Sequence, residues 1–118
     1  MRRRAGALLP LEVEILQVAA RAQRAGEGWV HGFAVAKMIR DAGDRDGLTA
    51  HGTLYKALGR LAAARLLEDR WEEPHVALAE GRPRRRLYRL TAEGHQTLAA
   101  ALASLRESRE QLAPRFAP

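Results

Sequence analysis

The residues of this chain best suited to chemistry are arginines. From Gly81 to Arg89 it reads Gly-Arg-Pro-Arg-Arg-Arg-Leu-Tyr-Arg, five arginines in nine residues with no acid among them. A guanidinium is planar, permanently charged, and donates through a fork that matches phosphate oxygens. The chain has 20 Lys and Arg; setting aside these five and Arg2, Arg3 and Arg4 leaves 12, against 14 Asp and Glu. Two short segments therefore carry the whole +6 surplus, and the rest of the protein is slightly acidic. Charge localised in this way implies a polyanion site rather than a generally basic surface.

Other chemistries find little to work with. The absence of cysteine removes disulfides, thiolate nucleophiles and cysteine-ligated zinc. His31, His51, His75 and His95 are scattered, and no pair has the spacing of metal ligands. There is no nucleophile–base pair, glycine-rich phosphate loop or carboxylate–histidine cluster, so neither an enzyme nor a cofactor is expected. No apolar run approaches the length of a membrane span. Glu12 and Glu14 interrupt the stretch that would have to follow Met1-Arg2-Arg3-Arg4 in a secretory signal, and a cytoplasmic location is expected.

The elements that must position the arginines can be read from periodicity. Leu11, Ile15, Val18, Ala19 and Ala22 recur at helical spacing behind Pro10, which predicts a helix over about 11–24. Val13 and Leu16 lie off that stripe, so this helix is expected to bury more than one face, with Leu16 available to a partner chain. A second helix is expected from about Gly32 to Ala42, with Val35, Ile39 and Ala42 inward and Lys37 and Arg40 outward. A third starts at Thr49, a good N-cap, and runs to Ala64 over a core stripe of Leu54, Leu58, Leu61, Ala62 and Leu66. His51, Thr53, Tyr55, Lys56 and Arg60 belong to its other faces. Leu67–Glu72 then alternates as a strand, Glu73–Pro83 is expected to be a long loop, and Arg84–Leu90 alternates as the returning strand. Thr91 opens a last helix, Ala92–Ala113, with Leu98, Leu102, Leu105 and Leu112 as its apolar line. At about 33 Å it is longer than the preceding part of the chain can cover, which implies a second helix from a partner. Trp29 and Trp71 are expected in the core or at an interface.

Helix, helix, helix, hairpin and long helix is the order of an α+β, mainly helical fold: a winged helix-turn-helix with a C-terminal dimerisation helix. Residues 1–91 would form the winged helix-turn-helix part and 92–118 the dimerisation helix and tail. In such folds the second helix of the motif enters the major groove. Here that is Thr49–Ala64, with His51, Thr53, Tyr55, Lys56 and Arg60 placed to contact DNA and Lys37 supporting them from the preceding helix. Arg82, Arg84, Arg85 and Arg86 would sit on the wing, against phosphates or a narrow minor groove.

Three blocks of the sequence resemble one family. Val30-His31-Gly32-Phe33-Ala34-Val35, Gly52–Leu61 and Gly81–Thr91 look like the signature blocks of PadR-family transcriptional regulators, in the right order and at nearly the right spacing. The single short C-terminal helix resembles the smaller subfamily. The resemblance implies a homodimeric repressor, relieved by a small-molecule effector, on a pseudo-palindromic operator in double-stranded DNA. It also implies DNA contacts at Tyr55 and Lys56. The sequence departs from the pattern in lacking any aromatic over Ala92–Ala113, where some small members stack planar drugs. Two readings of other classes stand beside this one: an RNA-binding winged helix, since an arginine wing does not by itself distinguish duplex types, and a protein-interaction module docking through the leucine line.

Overall fold

A computed structural model describes residues 7–41 and 51–112. Eight elements follow one another: α1 (Pro10–Arg24), β1 (Val30–His31), α2 (Gly32–Asp41), α3 (His51–Ala63), β2 (Leu67–Trp71), α4 (Pro74–Ala79), β3 (Arg86–Leu90) and α5 (Ala92–Leu112). The architecture is a winged helix-turn-helix. Thr49, expected to cap α3, and Ala42 lie outside the described residues.

The core is aliphatic, as a chain with so few aromatics requires. Ile15, Leu16 and Val18 of α1 meet Val35 and Ile39 of α2, Leu54, Leu58 and Leu61 of α3, and Leu67 and Leu90 of the sheet. One polar side chain is sealed among them. Glu12 is 1% exposed; its Oε1 accepts the Leu9 N–H at 2.8 Å, at the start of α1, where leucine offers no capping oxygen of its own. Its Oε2 receives Nε of Arg60 on α3 at 3.1 Å. A single buried carboxylate thus joins the first turn of α1 to the third helix.

Helix ends follow local rules. Gly26, at φ +89°, closes α1, with Glu27 N–H donating to the Ala22 carbonyl. Arg65 takes the equivalent place after α3 at φ 64°, an unusual site for a residue with a Cβ. Thr91 caps α5: its hydroxyl accepts the Gly94 N–H at 2.9 Å. Gly94 itself is required, because a Cβ there would run into the Leu66 carbonyl and the Leu90 side chain.

The sheet has the order β1-β3-β2, antiparallel throughout. Leu67 faces Leu90, Asp69 faces Tyr88 and Trp71 faces Arg86 across the wing, while Val30 faces Tyr88 on the short edge strand β1. The expected loop over Glu73–Pro83 is corrected here: it contains α4. Pro74 occupies a first-turn position where no donor is missed, Ala77 is buried, and Gly81 at φ +65° follows the end. This proline-before, glycine-after arrangement was readable in the sequence.

The last helix divides into two parts. Leu98 is 6% exposed and belongs to the protomer core, Leu102 packs partly against it, and Leu105 is half exposed. From Ser104 to Gln111 every residue is exposed. Leu16, expected at a partner contact, is instead completely buried in the protomer, because α1 is enclosed by α2, α3, α5 and the sheet. The side chain of Leu112 lies outside the described residues. No helix among the described residues is long and apolar enough to cross a membrane.

Candidate nucleic-acid interface

Burial of Leu54, Ala57, Leu58 and Leu61 turns the opposite side of α3 outward, so Gly52, Thr53, Tyr55, Lys56, Gly59 and Arg60 are exposed. His51 is the first residue of α3, and its side chain lies outside the described residues. Lys37 is exposed on α2. Tyr55 is positioned by a glycine. Its ring lies over Gly32, the first residue of α2, so closely that a Cβ on Gly32 would stand 2.6 Å from Cε1 and 2.9 Å from the hydroxyl. Tyr55 keeps 43% of its surface in solvent while being held against the neighbouring helix.

Strand alternation splits the wing arginines between the two sheet faces. On β3, Tyr88 and Leu90 point into the core, and Arg86 shares their parity. Arg86 donates through Nε and Nη2 to Oδ2 of Asp69, at 3.1 and 2.7 Å, and its guanidinium stands 4.9 Å from the centre of the Trp71 ring. Arg84 donates from Nε to the Glu72 carbonyl at 2.8 Å, with its guanidinium 5.8 Å from the same ring. Burial, and then the neighbouring Asp69 carboxylate, raise the pKa of the Tyr88 phenol against the opposing charge of Arg86. Asp69, Arg86, Trp71 and Arg84 are thus linked on one side of the wing.

The other face differs. Arg85 is half buried, with Nη1 3.2 Å from Nε2 of His31. His31 caps α2, its Nδ1 accepting the Ala34 N–H at 3.2 Å. Burial, followed by the charges of Arg85 and Arg82, lowers its pKa and favours the neutral ring. Further along the same face, the Trp29 ring carries the guanidiniums of Arg70 and Arg89 at 4.2 and 4.4 Å, and Arg89 also pairs with Glu68.

Arg82 has a different task from the one its place in the run suggests. Its Nη1 and Nη2 grip both carboxylate oxygens of Glu72 at 2.6 and 2.9 Å, and Nε reaches Glu80 at 2.9 Å. With 18% of its side chain exposed, it is a clasp across the base of the wing rather than a free contact. Arg60 is likewise engaged, by Glu12, although 42% of its side chain remains exposed.

Sequence reasoning missed three participants. Glu72, Glu12 and Trp71 each owe their role to a partner far along the chain. Trp71, expected in the core or at an interface, is 52% exposed. It follows Leu67 and Asp69 in strand parity, but at its level the helices no longer cover the sheet. Among the described residues, no group of His, Asp and Glu is arranged to hold a metal ion.

Comparison with known proteins agrees with this geometry. The model of the transcriptional regulator PadR-like family matches residues 23–100. No curated protein matches the chain. Among solved structures, a PadR family transcription regulator from Clostridium difficile R20291 superposes with a TM-score of 0.69 at 21% identity, over 91% of this chain and 98% of that one. A PadR-like transcription factor from Bacteroides fragilis gives 0.69 at 25% identity, over 87% and 86%. A transcriptional regulator from Clostridium thermocellum gives 0.66 at 23%, over 92% and 90%.

Proposed function

Because this chain belongs to the transcriptional regulator PadR-like family, we propose that it is a repressor that binds a pseudo-palindromic operator in double-stranded DNA as a homodimer. The single observation that carries the reading is an exposed α3 face, packed beside β2, on a domain whose wing holds Arg84 and Arg86 around an exposed Trp71. An outward helix face next to a cationic hairpin fits a major groove and the phosphates flanking it. Thr53, Tyr55 and Lys56 are placed to meet base edges, with His51 expected beside them. Arg84 and Arg86 supply phosphate contacts, and Lys37 adds one from α2.

The dimer is supported by α5, whose exposed second half extends past the domain. A groove of about 530 Å³ runs beside it, lined by Leu8 and Val13 near the start of α1 and by Ala101 and Leu105 of α5. A second copy of α5 across this groove would bury Leu105. Closed over by that second helix, the largely apolar groove would suit a small-molecule effector that relieves repression.

The test is competition at fixed salt. A labelled duplex carrying the palindrome nearest the gene is bound, then challenged with the same duplex unlabelled, a scrambled duplex and a structured RNA of equal length. Displacement by the palindromic duplex at far lower concentration than by the others is the expected result. Preferential displacement by the RNA would replace this reading with an RNA-binding one, and a monomer in sedimentation at micromolar concentration would remove the dimer.

A further inference from the structure

Trp71 is the bulkiest of the large apolar side chains left exposed among the described residues. It ends β2, opposite Arg86, and leaves half of a large indole in solvent. Its surroundings are cationic, with the Arg86 guanidinium 4.9 Å and the Arg84 guanidinium 5.8 Å from the ring centre. A guanidinium attracted to an aromatic face still has N–H groups to direct elsewhere. Arg86 uses Nε and Nη2 on Asp69, and its side chain keeps 37% exposure.

Trp29 provides an internal contrast. It too carries two arginines, at 4.2 and 4.4 Å, yet it is half buried on the opposite face of the sheet, away from α3. The protein thus builds the same aromatic–arginine unit twice. One copy is half buried on the outer surface of the sheet, and the other stands open on the wing.

We propose that Trp71 is itself a DNA-contact residue, its exposed indole lying against deoxyribose of the strand whose phosphates receive Arg84 and Arg86. The inference rests on the duplex-DNA reading above. A sugar presents an apolar edge between phosphates, so a flat apolar ring with cations on its flank matches the alternation of a nucleic-acid backbone. The ring would also exclude water from the two guanidinium–phosphate contacts, which strengthens them. Contact of this kind carries no sequence code; it adds affinity on every duplex and fixes how the wing lies on it.

The chain has only two tryptophans, which makes the test direct. Trp29→Phe leaves Trp71 as the sole indole, and Trp71→Phe leaves Trp29. Duplex binding is followed by anisotropy of a labelled palindromic fragment while tryptophan emission is read on the same samples. Emission of the Trp29→Phe protein should change in step with anisotropy, whereas that of the Trp71→Phe protein should stay constant. Trp71→Ala should weaken affinity roughly tenfold, for palindromic and scrambled duplexes alike. Binding by anisotropy with no change in Trp71 emission overturns the proposal, as does Trp71→Ala binding at wild-type affinity. Should Trp29→Phe fail to fold, the difference between wild-type and Trp71→Phe emission carries the same test. Absence of any anisotropy change in the wild type would instead overturn the duplex-DNA reading.

Discussion

Glu72 and Arg82 are joined oxygen to nitrogen at both ends of a bidentate pair, 2.6 and 2.9 Å apart, across the base of the wing. The same glutamate receives the Arg85 N–H, and its backbone exchanges hydrogen bonds with Arg84 and Arg85. The first arginine of the run therefore holds the hairpin in shape so that the later ones can be presented.

Acid should loosen this clasp in a defined window. Hydrogen bonding from Arg82 is the largest influence on Glu72 and holds its pKa at about 2, well below the usual 4.5. A carboxylate depressed in the folded state takes up protons more readily when unfolded, so it stabilises above the unfolded pKa. Its contribution should fade as pH falls from about 4.5 to about 2. Glu72→Gln should flatten that limb of a pH–stability curve measured by urea unfolding; an unchanged limb would place the acid sensitivity elsewhere.

The arginines of the run should separate in their salt dependence. Removing a phosphate contact lowers the slope of log affinity against log salt by about 0.9. Arg84→Ala and Arg86→Ala should each flatten the slope for any duplex. Arg82→Ala should reduce wing stability and leave the slope nearly intact, because two carboxylates, Glu72 and Glu80, enclose that guanidinium, whereas Arg86 has only Asp69 and is twice as exposed. Equal slope changes for Arg82 and Arg86 would contradict the division of roles.

Gly32→Ala should act through Tyr55. The new Cβ would overlap the half-exposed Tyr55 ring, so the ring moves and the surface offered to DNA changes. Overpacking of this kind costs about 1–3 kcal/mol where nothing yields. The stability penalty should largely vanish in a Tyr55→Ala background, whereas the loss of duplex affinity should not be recovered. Additive penalties in that double-mutant cycle would show that the two residues do not meet.

Arg60→Met should remove the charged partner on α3 from the buried Glu12 carboxylate. Loss of a partner for a buried charge is expensive, though the half-exposed arginine and the Leu9 N–H moderate it, and about 1–3 kcal/mol of destabilisation is expected. Thermal unfolding of Arg60→Met and of the Glu12→Gln/Arg60→Met pair would check this, the double variant being the more stable of the two.

Much of the molecule follows from the chain read in order. Periodicity located α1, α3, α5 and the two wing strands, because a helix or strand that buries one face must repeat its apolar residues at 3.6 or 2. The localised surplus of charge identified the wing before any coordinates. The short edge strand Val30–His31 escaped notice, since two residues have no period to reveal. α4 was hidden by reading Pro74 and Gly81 only as breakers, when they also mark where a helix begins and ends.

What the sequence could not decide is which charges remain available. Charge surplus is a sum over residue types, and the sum is indifferent to pairing. Glu72 precedes Arg82 by ten residues, Asp69 precedes Arg86 by seventeen, and Glu12 precedes Arg60 by forty-eight. Only folding brings these partners within hydrogen-bond reach, and only strand register sends Arg86 to the face of Trp71 and Arg85 to the face of His31. The sequence by itself determined that an arginine-rich hairpin follows a helix-turn-helix. The tertiary structure decided that Arg82 braces it, that Arg84 and Arg86 flank an exposed indole, and that Leu16 and Leu98 belong to the core, because pairing and burial depend on distances that chain order does not contain.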